Sequence, residues 1–220
     1  MPLARRRKRR RKRGTAARRR PIERRPADPA RILAGVKGVD TPEKRKLYDL
    51  LRERPRQLSV LKQLAGLMRK DGDHAAAAAL LRAGLALQPG DRDIQAHLAR
   101  TYCESGDVGR AIALYRKLIR LNPDDPIPYE KIDRICRDRG MIEEAVRLYR
   151  AIPAGGALKE RGHERLHFLL VEKLRDFPRG IANLREAIAR FGPSYRRCKE
   201  LGRLYAKRRD WRRAAGCYRE

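Results

Sequence analysis

Between Arg92 and Asp125 the apolar residues recur at helical spacing in two runs. Ile94, Leu98, Ala99 and Tyr102 fall on one stripe, and Ala111, Ile112, Tyr115, Leu118 and Ile119 fall on a second. Polar and charged residues fill the positions between them. Gly106-Asp107 separates the runs with a turn signal, and Asn122-Pro123 stops the second one. The pattern predicts two amphipathic helices joined by a tight turn. Such a hairpin cannot bury its apolar side alone and needs neighbours of the same kind.

Those neighbours are visible on both sides. A helix is predicted to open at Thr41-Pro42-Glu43, where a capping hydroxyl, a proline and an early acid coincide. It carries Leu47, Leu50 and Leu51 and stops before Pro55. Pro55, Pro89 and Pro123 then lie 34 residues apart, and a fixed period of this length marks a helical repeat array. The period divides the chain into a tail and linker (1–40) and a repeat domain (41–220). The domain splits into a half unit (41–57), full units at 58–91, 92–125 and 126–159, a degenerate unit (160–194) and a truncated one (195–220).

The unit from Arg92 places Leu98, Ala99, Tyr102, Gly106, Ala111, Tyr115 and Pro123 in a recognisable order. The unit from Leu58 repeats it with Leu61, Leu64, Ala65, Gly72, Ala77 and Pro89. The unit from Pro126 keeps Tyr129, Gly140, Ala145 and Tyr149, and the last unit keeps Leu201, Gly202, Tyr205, Ala214 and Tyr218. Residues 41–220 thereby resemble the tetratricopeptide repeat family. Gln95, Leu118, Ile132, Asp133 and Cys136 depart from its pattern. Pro153-Ala154-Gly155-Gly156 cuts the third full unit short.

The resemblance implies an all-α fold, a right-handed superhelical solenoid of antiparallel helix hairpins. The tyrosines, Trp211 and the leucines are then expected in the core. It also implies a concave face lined by the first helix of each unit, a face that in this family holds peptides or partner helices. On that face fall Lys62, Arg69, Lys70, Arg100, Arg134, Arg137, Arg203 and Lys207. They would form a basic ladder for an acidic protein or peptide, where arginine binds carboxylates in two-point fashion. One subfamily clamps a C-terminal carboxylate. Here Lys62 and Lys131 suit that clamp, whereas Gly66, His97 and Ile127 do not, and the activity is not carried over.

Charge changes the picture in one respect. Lys and Arg number 56 against 27 Asp and Glu, a net of +29. Residues 1–40 hold 16 basic and 3 acidic residues, but residues 41–220 hold 40 and 24, so the excess belongs to the repeats as well. Residues 1–26 are expected to be disordered when free. Their arginines supply an alternative function, nucleic-acid association through the arm, although no aromatic residue is interleaved for base stacking.

Cys103, Cys136, Cys198 and Cys217 are widely spaced without a CxxC pair. They indicate a reduced, cytoplasmic setting. No apolar run approaches the roughly 20 residues of a membrane span.

One sharp motif remains. His163, Glu164 and His167 spell HExxH, and Glu186 follows at the spacing of a third zinc ligand. The polar segment GALKERG ahead of it and the fit to a degenerate repeat count against a zinc peptidase, which stands as a remote alternative. His74 and His97 read as ordinary repeat residues. The sequence therefore predicts a non-catalytic scaffold without a cofactor.

Overall fold

The computed structural model describes residues 38–153 and 158–219. The Arg-rich arm lies outside the described residues. Eleven α-helices and one π-helical turn follow one another in the described chain, with no strand among them. A lone helix α1 (Pro42–Glu53) precedes the hairpins α2 (Leu58–Lys70) with α3 (His74–Leu87), and α4 (Arg92–Glu104) with α5 (Val108–Leu121). Then come α6 (Pro126–Asp138) with the short α7 (Ile142–Arg150), α8 (Leu158–Phe168) with α9 (Phe177–Phe191), and α10 (Tyr195–Lys207) with α11 (Trp211–Cys217). Each helix packs on the next, and α2 also touches α4 directly, giving the stacked hairpins of a solenoid.

Short polar side chains start these helices. The Asp73, Asp107, Asp176 and Asp210 carboxylates accept the N–H groups of Ala76, Arg110, Arg179 and Arg213 at the heads of second helices. Asp91, Asp125 and Ser194 do the same for α4, α6 and α10. Thr41 caps α1, as its sequence predicts. Each such cap is worth about 1 kcal/mol against alanine. At the turns, one residue after each first helix adopts the left-handed backbone: Gly72, Gly106, Gly140, Arg175 and Arg209. The N–H groups of Asp73, Met141 and Asp210 reach back to the carbonyls of Met68, Cys136 and Tyr205, the bond that closes such helix ends.

The turn residues are spaced 34, 34, 35 and 34 apart. The longer interval contains the π-helical turn Leu169–Lys173 that extends α8. A π turn absorbs one extra residue without ending the helix, and the inserted stretch is buried through Leu169, Leu170 and Val171. The degenerate unit is thus a regular hairpin with one residue added to its first helix.

Three apolar clusters run along the stack. The first joins α1 to α4 around Leu51, Leu64, Leu81 and Ile94, and the second joins α4 to α8 around Tyr115, Ile132, Val146 and Leu170. The third holds the last hairpins together around Val171, Leu184 and Leu204. Small residues let helices close on one another. A Cβ at Gly84 would lie 2.9 Å from Ile94, and one at Gly180 would lie 2.6 Å from Val171. Lys44 is buried at the start of the stack. Its Nζ donates to the Gly38 carbonyl at 3.0 Å and to Asp40 at 2.5 Å, and it meets Asp71 in the first hairpin turn.

The expectation that every tyrosine and Trp211 are core is corrected. Tyr115, Tyr129, Tyr149 and Tyr205 are buried, but Tyr195, Trp211 and Tyr218 are 81%, 65% and 57% exposed. The inner tyrosines are covered by the following hairpin, and no described helix covers α11. Trp211 opens that helix, with its side chain in solvent.

Candidate binding groove

The first helices α6 and α8 enclose an open groove of about 770 Å³. Its floor is a residue that departs from the repeat pattern. Where neighbouring units carry Ala65 and Ala99, the third carries Asp133, almost fully buried. One carboxylate oxygen accepts Nε and Nη2 of Arg165 at 2.8 and 2.7 Å, and Arg137 Nε lies 3.4 Å from it. The other oxygen, Oδ1, is buried without a hydrogen-bond partner among the described residues. Arg165 also lies over the Phe168 ring at 4.8 Å. A buried carboxylate therefore fixes one guanidinium firmly and a second loosely along one wall.

The groove carries more positive than negative charge. Lys131, Arg134, Arg137, Arg161, Arg165 and Arg196 line it against Glu130, Asp133 and Glu164. Arg134 approaches Asp138 only at 3.8 Å, and Arg196 approaches Glu164 only at 3.9 Å. Lys131 and Arg161 make no ion pair among the described residues.

The ladder read from the sequence is distributed differently in space. Arg134 and Arg137 line the groove. Lys62 pairs with Asp93 at 3.3 Å, and Arg69 grips both oxygens of Glu104 at 2.7 and 2.8 Å. Arg100 shares Glu104 at 2.9 Å. Arg203 reaches Glu172 at 3.2 Å and Glu200 at 3.6 Å, and Lys207 lies over the Phe177 ring at 5.1 Å. Lys70 follows Arg69 at the end of α2. Half of the ladder thus joins neighbouring units or stacks on a ring. Burial, Arg69 and Lys62 together push the His97 imidazole below its ordinary value.

Arg161, Arg165 and Arg196 were not among the residues singled out from sequence. Arg161 and Arg165 lie in the degenerate unit, where no proline falls at the 34-residue spacing, and Arg196 lies in the last unit, the one from which Arg203 and Lys207 were read. The spacing of the capping aspartates Asp73, Asp107, Asp176 and Asp210 is the signal that would have restored the register.

The HExxH residues do not converge. His163 is buried, with Nδ1 2.7 Å from Asn183 Oδ1, while Asn183 Nδ2 donates to the His163 carbonyl at 2.9 Å. Its Nε2 lies 3.7 Å from Glu186. His167 instead faces Glu200 at 3.9 Å, and Glu164 turns to Arg196. Among the described residues no three His, Cys, Asp or Glu side chains are placed to hold one metal ion. Burial pushes the Cys103 and Cys136 thiols up, away from nucleophilic reactivity. No disulfide joins the four cysteines, and no described helix is long and apolar enough to cross a membrane.

Stacked antiparallel hairpins with a 34-residue period define an α-helical repeat protein. Residues 68–131 and 198–220 match tetratricopeptide repeat patterns, and the chain is a tetratricopeptide repeat protein. No curated protein sequence matches it. Among solved structures it is similar to MamA from Desulfovibrio magneticus, at 16% identity over 73% of this chain and 90% of that one, with a TM-score of 0.44. It is also similar to a thermophilic tetratricopeptide repeat protein of Thermus thermophilus, at 20% identity over 72% and 86% of the two chains, with a TM-score of 0.37. PilF of Pseudomonas aeruginosa gives 18% identity over 73% and 72%, with a TM-score of 0.41.

Proposed function

We propose that this chain is a non-catalytic scaffold that receives an acidic peptide or protein segment in the groove between α6 and α8. The observation supporting this reading is the surplus of guanidinium groups around buried Asp133. The planar fork of a guanidinium suits a carboxylate pair. Arg134 on α6 and Arg161 on α8 both line the groove, with no short ion pair among the described residues to give up.

The reading is tested by fluorescence anisotropy with a labelled glutamate-rich peptide and the full-length protein. Binding is expected to weaken steeply as salt rises. Arg134→Glu with Arg161→Glu should weaken it at least about tenfold, since hydrogen bonds to charged groups contribute roughly 1.5–3 kcal/mol each. Unchanged affinity in that double variant, or equal binding of a neutral peptide of the same length, would refute the assignment.

A further inference from the structure

Buried charge in this fold comes with a partner of opposite sign, with one exception. Among the described residues three Asp, Glu, Lys or Arg side chains are buried: Lys44, Asp133 and Lys159. Lys44 meets Asp40 and Asp71, and Asp133 meets Arg165. Lys159, on α8, meets no carboxylate among the described residues. Its Nζ donates to the Ile152 carbonyl at 3.0 Å and to the Arg150 carbonyl at 3.5 Å, both at the end of α7. Carbonyls soften the cost of burying an ammonium group but leave its charge unbalanced.

Lys159 lines a pocket of about 340 Å³ between α8 and α9. His163 and Asn183 line it too, so three of the seven polar or charged residues buried in the described chain belong to one pocket. The volume is that of a small-molecule site.

Asn183 sets the state of the histidine. Its Nδ2 donates to the His163 carbonyl at 2.9 Å, which leaves its Oδ1 to face His163 Nδ1 at 2.7 Å. The amide oxygen takes the Nδ1 proton, and the neutral ring then carries a lone pair at Nε2. That nitrogen is buried without a hydrogen-bond partner among the described residues. The Glu186 carboxylate, on the same pocket wall, stands 3.7 Å from it. Two acceptors are side by side, beyond the reach of a mutual hydrogen bond. Lys159 lies one turn back along α8, about 6 Å away along the axis.

We propose that this pocket binds a free acidic amino acid. The ligand's ammonium group meets His163 Nε2 and Glu186, one carboxylate balances Lys159, and the other meets Arg150, which lines the rim and makes no ion pair among the described residues. One acid and two bases of the pocket thus face one base and two acids of the ligand. A bare metal cation fits less well, because Arg150, Lys159 and Arg179 surround the one carboxylate. A simple oxyanion also fits less well, since Nε2 and Glu186 offer it only lone pairs. Lys159, His163 and Glu186 do not line the groove at Asp133, so the two sites are separate.

The test is isothermal titration calorimetry of the full-length protein with L-glutamate and with glutarate, which keeps both carboxylates and lacks the ammonium group. A merely basic surface prefers glutarate, the more negative of the two. The pocket should bind glutamate at least about tenfold more tightly. Glu186→Gln should erase that preference by weakening glutamate and sparing glutarate. Lys159→Met keeps the apolar stem and should weaken both about tenfold or more. It should leave the melting temperature of the free protein unchanged or raised, because an unbalanced buried charge is removed. Ala182→Trp, at an exposed position on the pocket wall, should block binding without altering a buried residue. The proposal is overturned if glutamate gives no heat of binding, if glutarate binds as tightly, or if Ala182→Trp binds glutamate as the parent does. It is equally overturned if Lys159→Met lowers the melting temperature and keeps the parent's glutamate affinity, which would make Lys159 a cap for the α7 carbonyls alone. Arg134→Glu with Arg161→Glu should leave glutamate binding intact, so this proposal and the groove fail separately.

Discussion

Removing Asp133 and removing Arg165 should have very different effects on stability, although they are partners in one ion pair. The Asp133 side chain is 4% exposed and that of Arg165 is 30% exposed. Burying the carboxylate costs several kcal/mol. Its two bonds from Arg165, at 2.8 and 2.7 Å, return roughly 1.5–3 kcal/mol each. Arg137 at 3.4 Å adds little, and Oδ1 gains nothing. Penalty and gain nearly cancel. Asp133→Ala deletes both, restores the small residue found as Ala65 and Ala99 in the units before it, and lets Arg165 turn into the open groove. It should cost about 1 kcal/mol or less.

Arg165→Met keeps the penalty and deletes the gain, leaving a buried carboxylate beside one distant guanidinium. It should cost about 3–5 kcal/mol. The double variant should return close to Asp133→Ala, giving a coupling energy of about 3–5 kcal/mol in the mutant cycle. Urea unfolding followed by circular dichroism gives each value from the midpoint and slope. The reasoning fails if Asp133→Ala is as costly as Arg165→Met, or if the two losses add in the double variant.

The turns offer a second check: Arg209→Gly and Arg175→Gly relieve left-handed backbone at φ 61° and 55° and should each raise stability by up to about 1 kcal/mol, read as an increase in melting temperature. Gly106→Ala, at φ 84°, should lower it by a similar amount. Within helices, Gly180→Ala should cost about 1–3 kcal/mol in urea unfolding because its Cβ would meet Val171 at 2.6 Å. Gly66→Ala, with open space around it, should instead stabilise α2 by about 0.5–1 kcal/mol. Finally, burial pushes the His167 imidazole below its ordinary value, so the unfolded chain takes up that proton first as pH falls. This histidine's contribution should decline from about pH 6.5 downward and level off below its depressed folded value. His167→Gln should flatten that part of the stability–pH curve.

The repeat was legible in the sequence because its packing positions demand particular residue sizes, and Leu98, Ala99, Tyr102, Ala111 and Tyr115 supply them. The turn at Gly106-Asp107 was readable for the same kind of reason, a left-handed residue followed by a cap. Arg175 and Arg209 occupy the equivalent turns, but an arginine there gives no turn signal. The π-helical turn at Leu169–Lys173 was hidden too, since one added residue leaves an apolar run that still looks helical. The groove was only partly legible. Periodicity placed Arg134 and Arg137 on the first-helix side, yet it could not show that Asp133 would be buried and would draw Arg165 from the next unit. Nor could it show that Lys62 and Arg69 are occupied, because their partners Asp93 and Glu104 come from the first helix of the following unit.

The fate of the fold's positive charge follows from this arrangement. Lys62–Asp93, Arg69–Glu104, Arg116–Glu144, Arg165–Asp133, Arg179–Glu143 and Arg197–Glu160 join residues 28 to 37 apart, about one repeat. Cations thereby act as fasteners between adjacent hairpins, at the interfaces on which a solenoid depends. Glu143 shows the consequence. Hydrogen bonds from Arg179 hold its carboxyl below the usual range, so this fastener loosens only in acid, as the carboxyl is protonated. Charge committed in this way is unavailable to a ligand, and the net charge of the repeats overstates what a partner meets. The cations that make no ion pair among the described residues are spread along the stack, Arg52, Lys117 and Arg190 as well as Lys131 and Arg161 at the groove. A uniformly basic surface would bind anions wherever it was probed. The groove differs from the rest of the basic surface in the buried Asp133 beside its arginines, so it should favour ligands by geometry as well as by charge.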